Sequence, residues 1–221
     1  MRELTKFHSG INSSNSRTFN PNPSGSGLGT VTIKVTSTKY ESEGAEFKYL
    51  AKCYPIKTGF AYEVPIYKVV LTSTKFPGVD SIFYALRFMP SKTTANENVF
   101  MSGLADAQNY VLTTYDPNYN PHSMQNLENG AFLIYGNFLV HAGPSQFTHY
   151  AMGGLGCIEV FDFASFVLTI INLCGAQAGG TTDEVLTRLA EDGYIKLSIE
   201  AAVKPPVTPV APPPGYPAGT F

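Results

Sequence analysis

Short stretches that alternate apolar and polar residues, cut apart by glycine and proline, constrain this chain more than any other feature. Thr30-Val-Thr-Ile-Lys-Val-Thr-Ser repeats with period two, the pattern of a half-buried strand. Glu46 to Tyr54 reads as a second strand, bounded by Gly44 and Pro55. Ala61 to Ser73 is a third, rich in Val, Ile and Tyr, with Pro65 marking an edge or a bulge. Ser81 to Met89, closed by Pro90, is a fourth. Gly130 to Tyr135 and Asn137 to His141 pair around Tyr135-Gly136-Asn137, and Tyr194 to Glu200 alternates as a last strand. With 20 Gly and 16 Pro to turn the chain between runs of Tyr, Thr and Val, β structure dominates.

Helical signals are fewer. Thr94 to Tyr110 has caps in Thr94 or Asn96 and apolar Val99, Leu104, Ala107 and Val111 at helical spacing, which predicts a helix. Asp162 caps a second, Phe163 to Cys174, stopped by Gly175 and carrying Phe166, Ile170 and Leu173 inward. Thr181-Thr-Asp-Glu is a capping box for a third, ending near Gly193. The predicted class is therefore α+β, mostly β, with two or three helices, in one domain over 30–203. Residues 1–29, built of Ser, Asn, Gly and Pro, read as a flexible arm. Residues 204–221 form a Pro-rich tail in polyproline II conformation, which either docks into a partner's aromatic groove or stays disordered.

Charge narrows the partners. A net charge of −2 with no Lys or Arg run predicts neither nucleic acid nor an anionic membrane surface as a target. No run of about 18 apolar residues predicts membrane insertion, and Met1-Arg-Glu-Leu-Thr-Lys-Phe-His lacks the apolar region of a secretory signal. Three cysteines, Cys53, Cys157 and Cys174, leave at least one thiol free in a monomer, and no C-x-x-C pair suggests zinc. No metal or organic cofactor is expected. Gly153-Gly-Leu-Gly lacks the Lys-Ser/Thr ending of a phosphate loop, which argues against nucleotide binding.

Chemistry concentrates between Phe138 and Val160. An apolar strand ends on His141, a polar loop carries His149, and a Gly-x-Gly-Cys turn presents Cys157 before Ile158. A thiol attacks at neutral pH once a nearby His or turn amides lower its pKa, and the Gly154 and Gly156 backbone leaves room for amides to converge on an oxyanion. The plainer alternative is that Cys157 packs, as free cysteines commonly do. Cys174, at the end of a helix, reads as a core thiol. His122, in the loop Asp116-Pro-Asn-Tyr-Asn-Pro-His-Ser, reads as solvent-exposed.

His141-Ala-Gly, a 16-residue step to Cys157, then Gly156-Cys157-Ile158 and a helix opening at Asp162 resemble the signature of the L,D-transpeptidase catalytic domain. The likeness extends to the related interbacterial toxins. It implies a β-rich fold and a cysteine-dependent acyl transferase or hydrolase acting on peptidoglycan stem peptides, by cross-linking, exchange or carboxypeptidase cleavage. It also implies action in a periplasm after non-classical delivery from the cytoplasm, with an immunity protein or secretion component as further partner. Cys157 is the expected nucleophile, the Gly156 and Gly154 backbone the oxyanion cradle, and Ser145, Tyr150 and Glu159 the expected substrate contacts. The family carries Ser/Thr-His just before Gly-Cys where this chain has Gly154-Leu155, so the base falls to His141 or His149. Glu159 stands where the family tends to place Arg. Two rival readings are a different cysteine peptidase or amidase, and a non-enzymatic structural or binding protein of a phage or secretion apparatus.

Overall fold

The structure is a computed structural model, and it describes residues 27–120, 129–144, 151–152 (backbone only), 156–176 and 179–215. In chain order the strands begin with β1 (Val31–Lys39), the short hairpin β2 (Glu41–Ser42) and β3 (Ala45–Glu46), β4 (Lys48–Lys52), β5 (Tyr54–Pro55), β6 (Ala61–Ser73) and β7 (Ser81–Leu86). They continue with β8 (Met89–Lys92), β9 (Phe100–Ser102), β10 (Gln108–Val111), β11 (Tyr115–Asp116), β12 (Ala131–Tyr135) and β13 (Phe138–Ala142). After β14 (Ala151–Met152) and β15 (Ile158–Val160) come the helices α1 (Phe163–Cys174) and α2 (Thr182–Glu191), then β16 (Ile195–Ile199) and β17 (Pro209–Val210). The class is α+β, mostly β, with two helices among the described residues.

One long sheet runs in the order β10-β16-β1-β6-β7-β15-β13-β12-β11. Period-two burial explains its faces. Val31, Ile33 and Val35 of β1 and Ile195, Leu197 and Ile199 of β16 are buried, while Lys34 and Lys196 are exposed. These residues join Val140, Ala142, Ile158 and Val160 and the inner faces of α1 and α2 in the larger core. The helices end where local chemistry ends them. Gly175 takes the left-handed conformation and caps α1, and the Thr181–Glu184 capping box opens α2. Asp162 holds the N-cap position of α1 in a left-handed conformation with no side-chain cap bond, so the expected capping role falls to its carbonyl, which accepts from Phe166 N–H at 3.0 Å.

β6 belongs to two layers. Its first part, Ala61 to Pro65, pairs with β4, and from Ile66 it pairs with β7. Pro65, lacking an N–H, sits at the changeover, as the sequence suggested. β14 extends the smaller layer beyond β4. Tyr49, Val64, Ile66, Leu86, Met89, Met101 and Phe161 fill the space between the layers as a second core, with Tyr49 and Phe161 edge-to-face at 5.5 Å.

Two expectations are corrected. No helix forms over Thr94 to Tyr110; the segment holds β9 and β10 instead. The capping signal is spent on a single turn, in which Glu97 accepts from Thr93 and Thr94 N–H, and antiparallel pairing of Gln108 to Val111 with β16 captures the rest. Helical spacing lost to a distant strand partner. The Pro-rich tail is also placed in part: β17 pairs with the β6 edge through Pro209–Tyr62 and Val210–Ala61, and Glu63 N–H donates to Thr208 O at 3.0 Å. An edge strand tolerates proline because one row of its amides has no ladder partner. Among the described residues no helix is long and apolar enough to cross a membrane.

Arg87 is wholly buried between the end of β7 and the start of β8. Its guanidinium donates to the carbonyls of Leu104 (2.8 Å), Glu200 (2.5 Å), Thr36 (3.4 Å) and Ala105 (3.4 Å). Phe88 and Tyr67 lie under the cation at 5.2 and 5.8 Å.

Candidate active site

β13 and β15 run parallel, with Val140 opposite Ile158, His141 opposite Glu159 and Ala142 opposite Val160. Val140, Ala142, Ile158 and Val160 point into the helix-side core. Alternation then puts His141, Glu159 and the preceding Cys157 on the other face, toward the smaller layer. Their row is completed by Ala131 of β12, small enough to leave room beside the imidazole, and by Leu86 of β7. Of the four sequence-predicted site residues that the structure describes, Cys157, His141 and Glu159 thus share one face, and Gly156 opens the segment that carries two of them.

Two glycines fix this arrangement. Gly143, the last residue of His141-Ala-Gly, donates its N–H to Val160 O at 2.8 Å and crosses so close that a Cβ would lie 3.0 Å from the Glu159 carbonyl. Gly156 has φ 111° and packs on Gly103 and Phe138; a Cβ there would sit 2.7 Å from the Phe138 ring and 2.9 Å from Gly103 N. Only glycine serves where backbone meets backbone in a left-handed conformation. Gly156→Ala is expected to destabilise the protein by ~2–3 kcal/mol, from backbone strain plus displacement of β9, and chemical denaturation reads that loss directly.

Cys157 is buried, and its thiol donates to Asn137 O at 3.7 Å across the β12–β13 turn. Burial pushes the thiol up to about 11; the Leu139 N–H and the Cys157 N–H, both aimed at sulfur, pull it down, and negative charge on Glu159 pushes it up. The expectation of a presented thiol with a lowered pKa is corrected: desolvation outweighs the two amides. Glu159 is buried too, and desolvation lifts its carboxyl to about 8.

His141 is buried with Nδ1 2.8 Å from Ala142 O. A carbonyl only accepts, so Nδ1 carries the proton and, in the neutral ring, Nε2 is the basic nitrogen. Tyr119 covers the ring, centroids 5.3 Å apart. Burial first, then charge on Cys157, Glu159 and Tyr54, pushes the Tyr119 hydroxyl up to about 12. Tyr119 lies in a run whose local signals are those of a plain loop. Its position is set by Asn118 N–H donating to Asp116 Oδ1 at 2.9 Å and by Gly130 N–H donating to Tyr119 O at 2.8 Å. The Asp-Pro-Asn run was the available sign of a structured turn.

His149, Ser145, Tyr150 and Gly154, with His122, lie outside the described residues. Among the described residues no group of three or more His, Cys, Asp or Glu is placed to hold a metal ion. Comparison with family models, curated proteins and solved structures finds no match.

Proposed function

We propose that this chain is a cysteine-dependent acyl transferase or hydrolase of peptidoglycan stem peptides, with Cys157 as nucleophile and His141 as its base. The observation that carries the reading is the placement of the two side chains on one face of adjacent parallel strands, with Nε2 the basic nitrogen and two N–H groups aimed at sulfur. The substrate class comes from the likeness of the His141-Ala-Gly and Gly-Cys-Ile motifs to the L,D-transpeptidases.

A thiol near 11 rests in its protonated form, so activation accompanies substrate binding. The S–H proton passes from its Asn137 carbonyl contact to His141 Nε2, and the thiolate attacks the peptide carbonyl. The C–N bond breaks as the leaving amine takes the proton from the imidazolium, which leaves a thioester. An amine or water then attacks, giving its proton to His141 and restoring the thiol. The reaction needs no outside oxidant or reductant. Its substrate lies in the periplasm, which places the action there.

Incubating the protein with purified muropeptides, followed by mass spectrometry, tests this. The expected result is loss or exchange of the terminal D-amino acid, or a new cross-link, absent with Cys157→Ser. A second reading has its own support: the burial of Cys157 and its bond to Asn137 O are those of a packing thiol in a non-enzymatic binding protein. Unchanged muropeptides together with a Cys157→Ser variant that loses only stability would establish it.

A further inference from the structure

We propose that Glu159 is a positioning residue for Cys157, permitting the thiol to ionise while its own carboxyl is protonated and opposing ionisation once that proton is lost. The inference rests on Cys157 as the nucleophile, and it deepens that reading by adding an electrostatic control.

The geometry comes first. Cys157 and Glu159 lie two residues apart along an extended segment, so their side chains leave the same face about 7 Å apart. Glu159 is 3% and Cys157 5% exposed, so little water lies between them to screen a charge. Facing Glu159 are His141 from β13 in direct register, Cys157 from its own segment and Tyr119 from the turn after β11. Tyr54 of β5 couples to the group through Tyr119. Leu86 of β7 is its apolar cross-strand neighbour, and Asp116, two strands beyond His141 in the same row, is exposed. No Lys or Arg forms an ion pair with Glu159 among the described residues. Among the described residues no lysine or arginine balances a carboxylate formed here, so, with His141 neutral, its field falls on the sulfur.

The direction of the effect follows. Desolvation keeps the carboxyl neutral up to about 8, so at neutral pH the thiol faces an uncharged neighbour. Above that, thiolate formation creates a second buried negative charge. One unit charge at about 7 Å in protein medium shifts thiolate formation by roughly tenfold or more. The coupling is reciprocal: a thiolate, or a negatively charged adduct on sulfur, holds the proton on Glu159.

The test is the rate of Cys157 alkylation by iodoacetamide between pH 6 and 10 on the full chain, read by peptide mapping. For wild type, log rate should climb with unit slope, fall to roughly half that slope between about pH 8 and 9, then regain it. Glu159→Gln, which keeps the shape of the protonated side chain, should follow one straight line and react about tenfold faster at pH 9.5. Superimposable profiles, or unit slope throughout in both proteins, overturn the proposal. The wild-type break is readable even if the variant misfolds. The infrared carbonyl band of a protonated carboxyl should also vanish through the same interval. Unchanged muropeptides with a clear break would sink the acyl-transfer reading and leave this one standing. Turnover without a break would do the reverse.

Discussion

Replacing Arg87 by methionine is expected to destabilise the protein by ~4 kcal/mol and to lower its Tm by roughly 8–16 °C, measured by calorimetry or circular dichroism. The side chain joins β1 at Thr36, the segment between β9 and β10 at Leu104 and Ala105, and the exit of β16 at Glu200. Methionine fills similar volume and keeps contact with Phe88 and Tyr67, but it leaves buried carbonyls without their donor. An unmade bond of that kind costs ~1–3 kcal/mol. Desolvation lowers the Arg87 pKa, with charge on Tyr67 and Glu200 acting the other way. Guanidinium stays charged well past such shifts. Lysine should recover less than half of the loss, because one ammonium cannot fork toward carbonyls on separate segments. A methionine variant as stable as wild type would mean that the carbonyls find other donors.

The second large effect concerns His141. His141→Gln is expected to slow acylation by stem peptide roughly 10²–10⁴-fold, the usual contribution of a general base. Glutamine retains an N–H able to donate to Ala142 O, so the strand end keeps its bond, but it offers no basic nitrogen in place of Nε2. Denaturation midpoints should change far less than rates. A variant within threefold of wild type would remove His141 from the mechanism and point to His149.

Legibility followed the range of the interactions. Gly175, the Thr181 capping box and the Val-, Ile- and Tyr-rich composition of the thirteen-residue β6 act within a few residues of themselves, and the elements they predict are the ones that form. Thr94 to Tyr110 carried an equally good local cap, yet its outcome was decided by β16, far along the chain. Arg87 gave no sign at all, since its partners are backbone carbonyls that every residue owns. At the site, the apolar run Phe138-Leu-Val made His141 readable as a side chain on a fixed strand end, and the Gly156 turn made Cys157 readable as special. The protonation states were not readable, because they depend on desolvation by two layers that assemble from distant segments. Tyr119 was hidden for the same reason. A ring in a turn shows its role only when the strand beneath it is known.

The sheet has a temporal consequence. β1 lies between β6 and β16, so the strand near the start of the described chain pairs with one near its end. On a ribosome β1 waits, with one of its two ladders open, until almost the whole domain has emerged. Contacts of such long sequence separation close late, because loop entropy must be overcome before pairing rewards it. β15, whose entry places Cys157, joins β7 and β13 before that closure, while the parallel β1–β16 ladder is still unmade. The strands that carry the reactive face can thus pair while the helix-side core behind them still lacks its β16 residues.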